Sequence, residues 1–396
     1  MSESNVLIHR VRLKNYRSIA GCDVTLGRLN FLVGPNGAGK SNFVDALRLT
    51  AESLTGPLDQ ALQVRGGINE VRRRSGGHPT HFGVRLDYCL PDSTGGFYAF
   101  EIGARAAGAY VVLHEECKIG GNRFLVREGK LVVPEAGAYP PVSSDRLYLV
   151  NAAGLPQYRG VYDALSHMGF YNVNPDAIRE LQKPDPGSLL RRDGGNLAAV
   201  VSRLEQAGED LKARVAQYLE RVVPGVTDVH SKPVGHMQTL EFRHRVQGAA
   251  DPWRFPAINM SDGTLRALAI LVALFQPGNG RRVGLVGLEE PETSLHPAAA
   301  GVLRDCIAEA ARQVQVVVTS HSAELLDDPS IGSDQILAVE AVDGRTRIGK
   351  LDEATRSALH DRLYTAGELL RANQLMPDPG SVQEMNQLDL FEDVSS

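Results

Sequence analysis

The chain lacks any apolar run long enough to cross a bilayer. The longest, residues 265 to 275, is interrupted by Arg266 and falls far short of the roughly 20 residues a spanning helix needs. A membrane-spanning subunit is therefore not expected. Cysteine is sparse: Cys22, Cys89, Cys117 and Cys306 are scattered without metal-like spacing, so neither zinc nor a disulfide is expected and the thiols suit a reducing cytoplasm. Neither charge sign dominates. With 42 Lys and Arg against 47 Asp and Glu, the net charge is −5, so no global positive field draws nucleic acid or an acidic membrane. The opening residues, Met1-Ser2-Glu3-Ser4-Asn5, carry no basic stretch or apolar core of an export signal, which again points to the cytoplasm. There is no internal repeat. What remains is a chain of 396 residues, 43% hydrophobic and 22% charged, enough for a large core and best read as one elaborate α/β domain.

Hydrophobic periodicity divides this chain. Residues 6–33 read as two strands, the first with Leu7, His9, Val11 and Leu13 alternating and the second an apolar run from Leu29 to Val33. A glycine-rich turn and a helix over 42–54 complete an N-terminal part, 1–55. From 80 to 150 the period is two, with Phe82, Val84, Leu86 and Tyr88 in step, which predicts an antiparallel β lobe. Residues 155–225 read as a helical subdomain whose heptads are too few for a long coiled coil. Residues 228–350 return to alternating helix and strand, which implies parallel strands covered by helices. The expected head covers 1–376, and the acidic tail 377–396, with Leu388, Leu390 and Phe391 among Asp389, Glu392 and Asp393, is expected to be mobile.

Gly34-Pro35-Asn36-Gly37-Ala38-Gly39-Lys40-Ser41 matches the pattern G-x-x-x-x-G-K-[ST] between a strand and a helix. Such a loop lets backbone N–H groups converge on phosphate oxygens, with Lys40 reaching the β and γ phosphates and Ser41 a ligand for Mg²⁺. Asn42 follows as the next candidate contact at the helix start. The apolar strand Val283-Gly284-Leu285-Val286-Gly287-Leu288 ends in Glu289 and Glu290, as a Walker B element requires. Glu289 is assigned to the metal's water shell, and Glu290 to the attacking water, which needs a carboxylate within hydrogen-bond reach. Asp is the usual residue at the first place; Glu289 is a methylene longer, which makes an indirect metal contact the expectation. Ser261 and Gly263 open a helix whose N–H groups and dipole suit a phosphate, although a plain N-cap explains Ser261 as well.

Glu290-Pro291-Glu292, Ser294-Leu295-His296-Pro297 and Thr319-Ser320-His321-Ser322 together resemble the Walker B, D-loop and H-loop series of ABC-type ATPases related to OLD, RecF and SMC heads. Asn259-Met260-Ser261-Asp262-Gly263-Thr264 resembles a divergent signature motif, and Leu13-Lys14-Asn15-Tyr16-Arg17-Ser18 resembles the N-terminal strand of the same families. The resemblance implies a P-loop NTPase of ABC/SMC-head type: a mixed α/β sheet core with an antiparallel β lobe and a helical insertion. It implies His321 as the switch histidine, Arg17 near the nucleotide, and Ser261 and Gly263 on the γ phosphate held by a second copy. ATP and Mg²⁺ are then the ligands and a homodimer closed on ATP the working form. Leu190-Arg191-Arg192-Asp193-Gly194-Gly195-Asn196-Leu197-Ala198 and Ala366-Gly367-Glu368-Leu369 also resemble recurring segments of this group, with no chemistry assigned. No Q-loop glutamine is evident.

Three functions compete. The leading one is an ATP-gated switch that holds or releases a separately encoded, nuclease-like effector, by resemblance to the ATPases of anti-phage systems such as Septu and PARIS. Only about 75 residues follow His321, short of a usual domain, so a nuclease within the chain is not expected. The alternative is a DNA-binding ATPase of repair resembling RecF. The basic groups Arg72-Arg73-Arg74, Arg191-Arg192 and Arg281-Arg282 could meet DNA but read better as solvated charge, since no aromatics interleave them. A transporter's nucleotide-binding subunit fits least, given the Ser-Asp-Gly-Thr signature.

Overall fold

In a computed structural model of the chain, residues 6–74, 79–132, 139–276, 283–380 and 388–391 are described. They fall into two units, 1–168 with 332–364 and 372–396, and 169–331 with 365–371. The basic pair Arg281-Arg282 lies outside the described residues.

The first unit begins with three strands where the sequence suggests two: β1 Ile8–Tyr16, β2 Ile19–Thr25 and β3 Leu29–Val33. The turn between β1 and β2 lacks Gly and Pro; Arg17 and Ser18 make it, with Asn15 and Arg17 at positive φ (53° and 48°), and Asn15 and Ser18 are residue types that favour such a turn. Alternation in β1 also breaks early. The pairing with β4 shifts register between Ile8 and Arg10, leaving His9 exposed while Ile8 and Val11 are both buried, the effect of a bulge. The period-two region is a meander of β4 His81–Cys89, β5 Gly95–Ala104, β6 Tyr110–Ile119, β7 Asn122–Arg127 and β8 Lys130–Leu131, each antiparallel to the next. Phe82, Val84, Leu86 and Tyr88 are all fully buried.

The second unit holds β9 Gly169–Tyr171, β10 Val226–Val234, β11 Met237–His244, β12 Trp253–Pro256, β13 Leu285–Glu289 and β14 Gln315–Ser320. β13 pairs in parallel with both β9 and β14, and β10, β11 and β12 form a separate antiparallel sheet. β9 interrupts the stretch read as helical; at three residues it is too short to show a period. The helix Asp262–Phe275 is buried at every position from Thr264 onward except Arg266, as expected of a helix apolar on all sides.

The chain re-enters the first unit with β15 Ile336–Val342 and β16 Arg345–Lys350. The strand order there is β8-β7-β6-β5-β4-β1-β2-β16-β15-β3. β3, buried at all five residues, lies parallel to β15.

One buried carboxylate braces the helix Lys40–Thr55. Asp45, 6% exposed, accepts the Tyr16 hydroxyl at 2.8 Å and Arg65 Nε at 3.0 Å, and meets Arg48 Nε at 3.1 Å and Arg17 Nε at 3.1 Å. Burial pushes this carboxyl up, but the charges of Arg65, Arg48 and Arg17 outweigh it and hold the group below the usual carboxylate range. Removing the acid leaves Arg65, whose side chain is 1% exposed, with Glu52 and the Ala61 carbonyl at Nη1 but no acceptor at Nε. Asp45→Asn should therefore cost about 3–5 kcal/mol in urea denaturation. The folded carboxyl titrates below the unfolded one, so its contribution is complete above about pH 3.9 and is lost as the pH falls through the folded value. The wild type should show this acid slope and the variant should lack it.

Candidate functional site

In the first unit the loop 34–41 joins β3 to the helix Lys40–Thr55, and two glycines in it are set by close approach. A Cβ on Gly34 would stand 1.9 Å from the carbonyl oxygen of Val339; one on Gly39, at φ 102°, would stand 2.0 Å from Thr346 Oγ1. Gly37, at φ 77°, has nothing within 4 Å of its Cβ position, which leaves open space over the loop. Lys40 is 4% exposed, and its Nζ donates to the carbonyls of Gly34 at 2.8 Å and Pro35 at 3.1 Å, so the ammonium spans the loop. Pro35, Asn36, Gly37 and Ser41 are exposed, and Ala38 is buried. The helix starts on Gly39 with no side-chain cap. A glycine cradle, an uncapped helix start, a lysine across the loop and an exposed Ser41 hydroxyl form a donor set that fits a triphosphate with its Mg²⁺.

A relay of hydrogen bonds holds this loop. Asn42 Nδ2 donates to Ser18 Oγ at 2.6 Å, Ser18 Oγ lies 2.7 Å from Thr346 Oγ1, and Thr346 Oγ1 donates to the Ala38 carbonyl at 2.8 Å. Each hydroxyl accepts from one neighbour and donates to the next, which fixes the direction of the chain. Asn42 and Arg17, both expected near the nucleotide, are thus engaged with Ser18 and Asp45. Sequence reading missed Thr346 because 308 positions separate it from Ala38 and no motif surrounds it.

In the second unit β13 carries Glu289 to its end, and Glu290 follows at φ 45°, a left-handed conformation uncommon for a non-glycine residue. Its N–H donates to the Thr319 carbonyl at 2.9 Å, and its Oε1 lies 3.5 Å from His321 Nδ1. Glu290 and His321 are 39% and 41% exposed at the side chain, so the pair is open to water. Glu292 accepts from Ser320 Oγ at 2.7 Å and the His321 N–H at 3.4 Å, while its other oxygen is buried with no hydrogen-bond partner among the described residues. Glu289 accepts Arg192 Nη2 at 2.8 Å. Arg192 comes from the segment to which sequence reading assigned no chemistry. Its loop is fixed by buried Asn196, whose side chain accepts the Arg191 N–H and donates to Asp185 and to the Leu189 carbonyl.

Ser261 caps the helix Asp262–Phe275, accepting the Thr264 N–H at 3.2 Å. Gly263 is required by packing, since a Cβ there would lie 2.6 Å from the Ser294 carbonyl oxygen. Arg179 donates to the Met260 carbonyl at 3.2 Å and pairs with Asp262, a brace on this helix start that the sequence did not reveal. Among the described residues no group of three or more His, Cys, Asp or Glu is placed to hold a metal alone. Mg²⁺ needs only one or two protein ligands beside phosphates and water, and the exposed Ser41 hydroxyl has the right chemistry for one.

The family profile described as "AAA domain, putative AbiEii toxin, Type IV TA system" matches residues 29–89 and 156–327, more than half of the chain. The chain belongs to this AAA_21 family. A relative of this AAA_21 chain is the OLD nuclease of Thermus scotoductus (strain ATCC 700910 / SA-01), 24% identical over 374 residues; the alignment takes in 89% of this chain and spans 66% of that protein's length. Two solved structures share the fold. One is an SMC head bound to the C-terminal winged-helix domain of ScpA, with a TM-score of 0.57 at 15% identity over 88% of this chain and 99% of that one. The other is the SMC head with an extended coiled coil bound to the C-terminal domain of ScpA from Pyrococcus furiosus, at 0.56 and 12% over 90% and 99%. The fold is that of an ABC-type P-loop ATPase related to OLD and SMC heads, as expected. The matched stretches contain 34–41, Arg192, Ser261, Glu289, Glu290 and His321, and exclude Thr346 and most of the β lobe. No helix of the described residues is long and apolar enough to cross a membrane.

Gly39→Ala in this AAA_21 chain should lower stability by about 1–3 kcal/mol in urea denaturation, through both the left-handed backbone and the clash with Thr346. Arg192→Ala leaves Glu289 unpaired with an 11% exposed side chain and should cost about 1 kcal/mol, most of it recovered by Arg192→Lys in the same assay.

Proposed function

We propose that this chain binds ATP with Mg²⁺ and hydrolyses it, and that closing and opening of a homodimer around two ATP molecules is its output. The observation that supports this most directly is Glu290. It is a carboxylate held in a left-handed backbone by Thr319, within 3.5 Å of His321 and open to water. Lys40 and the loop 34–41 bind and orient the phosphates. Ser41 and Glu289 would hold Mg²⁺, which when bound draws charge off the β and γ phosphates. Glu290 accepts the proton of a water whose oxygen attacks the γ phosphorus as the bond to the β–γ bridging oxygen breaks, releasing ADP and inorganic phosphate. His321, beside Glu290, orients the same water or γ oxygen. Ser261 and Gly263, at the start of a long helix, face the γ phosphate of the opposite copy, so neither copy completes a site alone.

The partner is a separately encoded, nuclease-like effector in anti-phage defence in the cytoplasm. Two facts support a partnered switch: the SMC heads that share this fold were solved with ScpA domains bound, and the matched relative carries the name nuclease over a longer chain. The proposal is tested on Glu290→Gln, which should bind ATP normally, turn it over at least about 100-fold more slowly and accumulate as a dimer in size-exclusion chromatography with ATP. Lys40→Ala should remain a monomer. A Glu290→Gln enzyme with wild-type turnover would refute the assignment.

A further inference from the structure

Within the first unit, residues 388–391 lie against the face of β4, β5 and β6. Leu390 is 3% exposed, and its Cδ1 fills the space above Gly83, where a Cβ would come within 2.2 Å of it. Arg85 Nη1 donates to the Leu390 carbonyl at 3.1 Å. The Phe391 ring meets His114 edge to face, 5.2 Å between centroids. Asp389 is exposed, while Leu388 and Phe391 are half-buried. This segment belongs to the tail 377–396 expected to be mobile; residues 381–387 and 392–396 of that tail are outside the described residues.

The groups that receive the segment are set without it. Arg85 is 8% exposed, fixed by Asp87, which accepts its Nε at 2.8 Å, and by Phe97, whose ring centroid lies 3.7 Å from the guanidinium carbon. Gly83 keeps its hole because the strand there has no side chain. The face is thus a recess whose walls are held by their own contacts, and the described contacts to the segment include one buried leucine, one main-chain hydrogen bond and one ring. A receptor held in its bound form by its own contacts spends less binding energy on ordering.

We propose that the β4–β6 face is a receptor for a short peptide with adjacent leucine and phenylalanine, and that residues 388–391 occupy it in cis as a detachable latch. Docking in cis buries Leu390 and half-buries Phe391; release exposes both and empties the receptor.

The test uses the full-length chain and a fluorescent peptide of residues 386–393. Tethering gives the tail an effective concentration on the order of 1 mM, so the wild type should bind the free peptide at least about tenfold more weakly than a Leu390→Glu chain, whose own tail no longer fits. Peptides with alanine for Leu390 or Phe391 should bind the Leu390→Glu chain at least about tenfold less, and Gly83→Val in that background should abolish binding. Melting temperatures report whether each variant is folded, and His114→Ala, a milder change at the ring contact, should weaken binding if Gly83→Val fails to fold. Equal binding to wild type and Leu390→Glu, or indifference to the alanine peptides, would overturn the proposal. So would a nucleotide-free wild-type dimer that Leu390→Glu converts to monomer, because the tail would then be exchanged between copies.

Discussion

Two backbone approaches in the first unit, Gly34 on the Val339 carbonyl and Gly39 on Thr346, leave no room for a side chain and set everything that follows in the loop. They bring β15 and β16 against the phosphate-binding loop, so the loop's shape is held by strands more than 300 residues further along the chain. The relay from Asn42 through Ser18 and Thr346 to Ala38 then fixes the loop by donors and acceptors that are each satisfied, which is what gives a short glycine-rich segment a single conformation despite its intrinsic freedom. Lys40 spans the loop from within, and Asp45, five residues on, ties the same helix to β1 through Tyr16 and Arg17.

The second unit separates its acids by environment. Glu289 is paired with an arginine, Glu290 faces a histidine at an exposed strand end, and Glu292 accepts bonds from Ser320 and His321. Three carboxylates within four positions thus have different partners: an arginine, a histidine open to water, and a hydroxyl with a backbone N–H. Glu290's left-handed backbone is the local cost of turning the chain immediately after a buried parallel strand, and Thr319 on the adjacent β14 holds that turn.

The family match takes in β4 and leaves out the rest of the β lobe, and the tail segment is seated on β4 and β6. The fold is shared with SMC heads. The lobe's recess, built from a missing side chain at Gly83 and an arginine clamped between Asp87 and Phe97, is a separate device on the same sheet.

Residue order alone determined the loop 34–41, the strand ending in Glu289 and Glu290, the helix from Asp262 to Phe275 and the alternation of β4 and β5, because each depends on local spacing: a glycine turn, a run of apolar residues, a period of two. Sequence also placed Ser261 at a helix start, where it does act as a cap. It did not separate β1 from β2, where Asn15 and Ser18 are the turn signal in place of Gly or Pro, nor find β9, too short to have a period. Nor could it give Thr346, Arg192 or Arg179 a role, or seat Leu390 over Gly83. Those pairings join residues from 81 to over 300 positions apart. Only packing of the folded chain brings such residues together, and no local pattern in the sequence records it.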